Sequence, residues 1–416
     1  MGGVTDSGEK LTDVFSAAAL KYLTAVDASP EKSNQHEIGG LVRPSGFGNA
    51  LGMPDDGSKQ YFHTVMMYLD DFSDEPIICE DKVSWYDTRY DDPTRSPEWR
   101  LYYPGNEVTD RFQSSDMMLI ALTYDRTLLM MFCPQSSQAE LQLRALFGAS
   151  ERTADEKFRK VHIETSSIAA PIRLMLARYG IELDIRKQGD DVLLDQLISK
   201  FGNKFPSTKE FSAFARALRN TDVSIEDDPD SALLQWMNDE EHIFRLLERA
   251  IVQKQLEKGF GESGVDVDEF IKISLSIQNR RKSRVGHAFE NHIEEILRQN
   301  RVRYERGVHT EGKQKPDFLF PSQVAYLDPQ YPESELQMLG AKTTCKERWR
   351  QILAEANRIA QKHLITLEPS VSSDQTDEMK EKGLQLVVPV PIQSTYKHEQ
   401  QEWLISFKQF IEGLPR

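Results

Sequence analysis

Three residues far apart in the chain could do one piece of chemistry together. Asp317 stands in "KPDFLF" ahead of a short apolar strand pattern, and Lys342 closes a second such pattern, "LGAK". Glu355 follows thirteen residues beyond that lysine, in "ERWRQILAEANRIAQKH". Two carboxylates that meet can hold a divalent cation, and a lysine beside them can stabilise developing charge or orient an attacking water. Those are the parts of a metal-assisted phosphodiester hydrolysis. Many metal-dependent nucleases carry the second carboxylate two residues before the lysine, but here that position is Gly340. The second carboxylate must therefore arrive from another element. The segment after "KTTC" has good helix formers and no internal Gly or Pro, which predicts a helix. Arg348 and Glu355 are seven residues apart in it, two turns on one face, with Ile352 and Ile359 near the same stripe.

Strands and helices must bring these residues together. Residues 36–134 read as mostly β: "YFHTVMMYL", "KVSWYDT", "EWRLYY", "DMMLIALTY" and "TLLMMFCP" are short aromatic and branched runs separated by Asp, Pro, Gly and Ser. The last two flank a hairpin at 125–126. Several strands without helical interleaving predict a barrel or sandwich. From about residue 230 the chain turns helix-rich, through "LLERAIVQKQL" and "VDEFIKISLSI" to "RVGHAFENHIEEILRQN", where Phe289, Ile293 and Ile296 mark one helical face. Strand patterns "PDFLF", "LGAKTTC", "HLITL" and "LQLVVPV" then alternate with helices, and "EQQEWLISFKQFIEGL" predicts a closing helix. The expectation is a β domain over 1–150, a linker with short helices over 151–200, and a mixed α/β domain over 201–416.

Composition bounds the partners. The 416 residues carry 51 basic and 66 acidic side chains, a net charge of −15. Residues 1–200 hold 21 basic and 32 acidic groups, so most of the excess lies there. Basic clusters remain at "NRRKSR" and at Lys342, Lys346, Arg348 and Arg350. Phosphate contact depends on local potential, so the acidic balance does not exclude DNA. Three cysteines without a Cys-x-x-Cys pair argue for a reducing compartment and against structural zinc. A metal would then be held by oxygen, as magnesium or manganese is. No apolar run reaches the roughly 18 residues of a membrane helix, and "MGGVTDSGEK" lacks a signal-peptide pattern. The expected setting is the cytoplasm, with no membrane partner.

Other residues read two ways. Glu290, in "FENHIEEIL", is a further ligand or a solvated helix carboxylate; Tyr326 is a site residue or a packed loop aromatic. In "CKERWR", arginine can make a bidentate contact to guanine and glutamate can accept from cytosine, so Glu347 beside Arg348 suits a G·C pair. An exposed salt bridge at a helix start is the alternative.

The segments "GFGESGVDVDEFIKISLSIQNRRKSRVGHAFE", "EGKQKPDFLFPSQVAY", "MLGAKTTCKERWRQILAEANRI" and "LQLVVPV" together resemble the catalytic domain of EcoRII-type restriction endonucleases, of the PD-(D/E)XK superfamily. The resemblance covers roughly residues 200–395, and that family also moves its second carboxylate from the strand to the helix. It implies Asp317, Lys342 and Glu355 as the catalytic set with Mg2+, Glu290 supporting the metal site, and Tyr326 and Arg348 at or near the active and recognition sites. Lys346, Glu347 and Arg348 would read bases. The stretches "HEIGGLVRPSG" and "WYDTRYDDPTRSPEWRLYY" resemble the family's N-terminal effector-DNA domain, a β-barrel-like fold. Arg89, Arg95 and Glu98 fall near its DNA-contacting positions, although the Arg89 to Glu98 spacing is one residue longer than the family pattern.

The resulting expectation is a type II restriction endonuclease that acts as a homodimer through its C-terminal domains. It would cut a near-palindromic, CCWGG-like site in double-stranded DNA, in restriction-modification defence, and stay restrained until a second DNA copy binds the N-terminal domain. A repair or modified-DNA nuclease would keep Asp317 and Lys342 but change the base contacts. A non-enzymatic DNA-binding regulator with a decayed nuclease fold is the other rival, and the intact set of three argues against it.

Overall fold

The structure, a computed structural model, describes residues 11–28, 36–42, 46–71, 76–92, 94–149, 158–161, 176, 189–218, 224–261, 264–345 and 348–415. Two compact units divide between Ala169 and Ala170. Most of the expected 151–200 linker lies outside the described residues. No helix among the described residues is long and apolar enough to cross a membrane.

The first unit is built on one sheet. Its strands are β1 (Phe15–Tyr22), β2 (Glu37–Ile38), β3 (Gln60–Tyr68), β4 (Ile77–Asp87), β5 (Trp99–Tyr102), β6 (Met117–Thr123), β7 (Leu128–Cys133) and β8 (Phe158–Val161). They lie in the order β2-β5-β4-β3-β7-β6-β1-β8, and among the described residues no ladder joins β2 to β8. The strand runs read from sequence all appear, and β6 and β7 form the expected hairpin, with the Thr123 amide donating to the Thr127 carbonyl at 3.0 Å. Every residue of "LLMMFC" in β7 is buried, as expected of a central strand covered on both faces. Its core gathers Phe62, Trp85, Leu101, Ile120, Met130 and Phe132. A helix α1 (Gln138–Leu146), capped by Ser137, follows β7.

The second unit joins a helical layer to a five-stranded sheet. Helices α2 (Asp190–Phe201), α3 (Thr208–Leu218) and α4 (Pro229–Lys258) share a small core at Leu197, Phe211, Phe244 and Leu247. Helix α4 starts with Asp228 accepting the Ser231 amide at 3.0 Å and proline at its first position, both stabilising a helix N-terminus. Helix α5 (Val267–Gln299) turns Phe289, Ile293 and Ile296 into the main core, each fully buried.

The sheet comprises β9 (Glu305–Arg306), β10 (Phe318–Phe320), β11 (Gln337–Ala341), β12 (Lys362–Ile365) and β13 (Leu384–Val387), in the order β13-β12-β11-β10-β9. β9, β10 and β11 pair antiparallel, whereas β11, β12 and β13 are parallel. A short helix α6 (Gln323–Leu327) follows β10.

Two expected helices are corrected. The segment after "KTTC" forms only α7 (Trp349–Ile352), one turn long, and Glu355 lies in the turn beyond it. Ala356 sits at φ 49°, a left-handed conformation that a right-handed helix cannot continue through. Arg348 and Glu355 therefore do not share two turns of one helix face. The closing segment divides into α9 (His398–Gln401) and α10 (Phe407–Glu412), after α8 (Ser373–Glu381). Between its halves Ile405 bridges to Val387 of β13, and the Ile405 carbonyl accepts the Val388 amide at 2.9 Å. Continuous helix periodicity there gives way to one more sheet contact.

Candidate active site

The antiparallel step from β10 to β11 brings Asp317 to Lys342. Asp317 precedes β10 and Lys342 follows β11, with Phe318 opposite Leu339. The Oδ2 atom of Asp317 accepts the Ala341 amide at 2.7 Å and the Lys342 Nζ at 2.7 Å. The Lys342 amide in turn donates to the Ile365 carbonyl at 3.0 Å, extending the parallel pairing with β12. Both side chains stay partly exposed, 19% for Asp317 and 26% for Lys342.

Gly340 is bare because its neighbourhood is full. A β-carbon there would meet Ile352 Cδ1 at 2.6 Å. Ile352 of α7 thus fills the space in which a strand carboxylate would stand, and the chain delivers Glu355 three residues later. Burial, and then the charge of Asp317, push the Glu355 carboxyl up to about 7, against the opposing pull of Lys342 and Lys362. Its Oε2 atom is buried without a hydrogen-bond partner. An orphaned carboxylate oxygen beside a second carboxylate matches the donor chemistry of a hard divalent cation. Among the described residues no group of three His, Cys, Asp or Glu side chains could hold a metal.

Tyr326 is buried in α6, and its hydroxyl donates to Glu311 in a short bond while accepting the Arg358 amide at 3.2 Å. Burial and the bond to Glu311 push its phenol up to about 12, so it is a held hydrogen-bond donor. Glu290 is occupied elsewhere: Arg306 Nη2 donates to its Oε2 at 2.7 Å, while Arg306 Nη1 reaches Glu294 at 2.7 Å and Asn291 at 2.9 Å. Arg348 stands exposed at the start of α7, its amide donating to the Cys345 carbonyl at 2.9 Å. Lys346 and Glu347 lie outside the described residues.

Sequence reasoning missed four side chains here: Glu311, Lys362, Arg358 and Arg306. Lys362 opens β12 one residue ahead of the strand pattern "HLITL"; its Nζ donates to the Ile359 carbonyl at 2.8 Å. Burial lowers its pKa, opposed by Glu311 and Glu355. Glu311 and Arg358 act through tertiary contacts that no local pattern announces.

In the first unit, Glu98 lies between two arginines, in short contacts with Arg89 and with Arg100. The Asp87 Oδ1 atom accepts the amides of Arg89 at 2.9 Å and Glu98 at 2.7 Å, which ties the two ends of the β4–β5 connection together. Arg95 sits exposed within that connection. Arg100 was not singled out from the sequence.

The family model described as EcoRII C terminal matches residues 244–411. The chain is 43% identical to the type II restriction enzyme EcoRII of Escherichia coli over 398 residues, 95% of this chain and 93% of that protein. Among solved structures it is similar to metal-depleted Ecl18kI in complex with uncleaved DNA, at 20% identity and TM-score 0.42, covering 54% of this chain and 83% of that one. It is also similar to a restriction endonuclease PspGI–substrate DNA complex, at 18% identity and TM-score 0.42, covering 50% and 91%.

Proposed function

The chain belongs to the family of the type II restriction enzyme EcoRII, and so cleaves DNA in restriction, and we propose that Asp317, Lys342 and Glu355 carry that cleavage with magnesium as the ion. The observation that carries this reading is the meeting of three residues from separate elements, with Glu355 Oε2 left without a partner. Asp317 and Glu355 would hold the ion, which when bound supplies Lewis-acid stabilisation of the phosphate and a more acidic water. Lys342, fixed 2.7 Å from Asp317, places a cation beside the charge that grows on the phosphoryl oxygens. Tyr326 acts as a fixed donor at the margin of the site. Glu290 supports the site indirectly, through Arg306 on the strand beside β10. Supercoiled plasmid carrying the target should be linearised with magnesium and stay intact when a chelator removes it; equal cutting in chelator would refute the metal reading.

The target is a near-palindromic CCWGG-like site, read by Lys346, Glu347 and Arg348 just ahead of α7. A twofold site calls for a twofold protein, and a homodimer through the second unit fits an exposed apolar stripe on α5. Val267, Phe270, Ile271 and Leu275 there are 67%, 48%, 47% and 53% exposed. The β domain expected over 1–150, whose sheet extends to β8, binds an effector copy of DNA through Arg89, Arg95 and Glu98, and the catalytic domain expected over 201–416 begins with α2, inside the expected 151–200 linker. Three free cysteines fit a cytoplasmic setting.

A further inference from the structure

Glu355 owes its position to no helix. A single turn, α7, precedes it, and Ala356 beyond it is left-handed. The Glu355 amide donates to the Ile352 carbonyl at 3.1 Å, and Trp349, Ile352 and Ala356 are buried. So short a helix still depends on tertiary contacts for its place, and its polar side needs an anchor as well. Arg358 makes that anchor. Its guanidinium donates to the carbonyls of Tyr326 (a short bond), Asp328 at 2.9 Å and Tyr331 at 3.0 Å. Its amide donates to the Tyr326 hydroxyl at 3.2 Å. All these acceptors lie on α6 and the loop after it, which follow β10 directly. Arg358 thereby ties the turn that carries Glu355 to the element that follows Asp317 and its strand. Lys362 closes the other end of the turn onto β12, through the Ile359 carbonyl.

We infer that Arg358 is a positioning residue for the catalytic centre, holding the Glu355 turn against the Tyr326 loop so that Glu355 meets Asp317. The inference rests on the proposed role of Glu355 as an ion ligand. Only arginine suits the place: its rigid fork carries several donors and remains charged, so one side chain can satisfy three carbonyls at once. A lysine would keep the charge and lose the fork.

The test uses the full chain and three variants, Arg358→Ala, Arg358→Lys and Glu355→Ala. Mn2+ binding without DNA, followed by electron paramagnetic resonance, reports the ion site independently of turnover. Single-turnover cleavage across a Mg2+ series and duplex affinity in chelator give the remaining readouts. Arg358→Ala should weaken Mn2+ binding about tenfold and raise the Mg2+ needed for half-maximal cleavage by a similar factor. Duplex affinity should stay within about threefold of wild type, since the residue acts on the ion site. Arg358→Lys should recover part of the lost ion affinity, and it carries the comparison if the alanine variant fails to melt cooperatively. A lowered melting temperature with wild-type Mn2+ binding and Mg2+ dependence in either variant would make Arg358 a stabilising residue only and overturn the inference. Wild-type Mn2+ binding by Glu355→Ala would instead remove the ligand role of Glu355, and the inference with it.

Discussion

Ile352 and Gly340 are complementary: the isoleucine Cδ1 occupies the place where a β-carbon on residue 340 would come within 2.6 Å. The missing strand carboxylate and the turn-borne one are thus two sides of one packing solution. Gly340→Ala should lower stability by about 1–3 kcal/mol, as overpacking of a tight core does, with cleavage reduced because Ile352 belongs to the turn that leads to Glu355. Gly340→Asp in a Glu355→Ala background should not restore cutting. Denaturant melts and a plasmid digest check both, and a double variant that cuts would show that the strand position can serve after all.

Asp317→Ala, Lys342→Ala and Glu355→Ala should each abolish cleavage while specific duplex binding survives, because these groups act on the ion and on charge that develops during reaction. Glu355→Gln is the sharper probe, since it preserves shape and removes the negative charge. Filter binding in chelator beside single-turnover cleavage separates the two effects. Normal cutting by Glu355→Gln would mean that an uncharged side chain suffices there.

Much of this site was legible in the chain. Asp317 and Lys342 were found because each borders a short apolar run, and those runs are β10 and β11. Glu355 was expected on one helix face with Arg348, and the structure places it beyond a single turn instead. Helix-forming residues dominate 347–363, yet Ala356 is buried and left-handed, so tertiary packing overrode local propensity. Glu311, Arg358 and Lys362 join the site across 15 or more residues of sequence or through a backbone carbonyl, and no periodic pattern encodes such contacts. Glu290 was read two ways, as ligand or solvated helix carboxylate; its ion pair with Arg306 is a third arrangement.

A buried pair in the helical layer sets a pH dependence of stability. His292 and Glu240 lie 3.0 Å apart and fully buried. Arg216 Nη1 approaches His292 Nδ1 at 3.0 Å; a guanidinium only donates, so the ring is neutral, with its proton on the nitrogen facing Glu240. Burial pushes His292 below its ordinary 6.5, and Arg216 and Arg284 add to that. Burial alone would raise Glu240, but His292 and Arg284 hold it below 4.5. In both cases the unfolded chain takes up a proton before the folded one does. Stability should therefore fall as pH drops through 6.5, and again through 4.5. Thermal melts from about pH 7.5 to about pH 4 measure it, and His292→Gln should flatten the upper part of the curve. A melting temperature that rises on acidification would contradict the assignment.

Control by a second DNA copy is tested at Arg89, which pairs with Glu98 beside Arg100 in the first unit. If that unit binds effector DNA, a plasmid with one target should be cut slowly, and a short cognate duplex added in trans should speed it. The physical ground is linkage: DNA on the first unit shifts a resting equilibrium only if it binds the released state more tightly. Arg89→Ala removes a phosphate- or base-seeking cation and should abolish the stimulation, leaving slow basal cutting of the same plasmid. A shortened chain is the complementary arm, and where it begins matters. Starting at Phe201 would strip α2, whose Leu197 packs with Phe211 and Leu247, and expose that small core. Starting at Gly189 keeps α2 whole, so this fragment should melt cooperatively and cut single-site plasmid at least as fast as the full chain. A fragment that folds but cuts no faster, together with undiminished stimulation in Arg89→Ala, would make the first unit a plain affinity module and end the case for restraint.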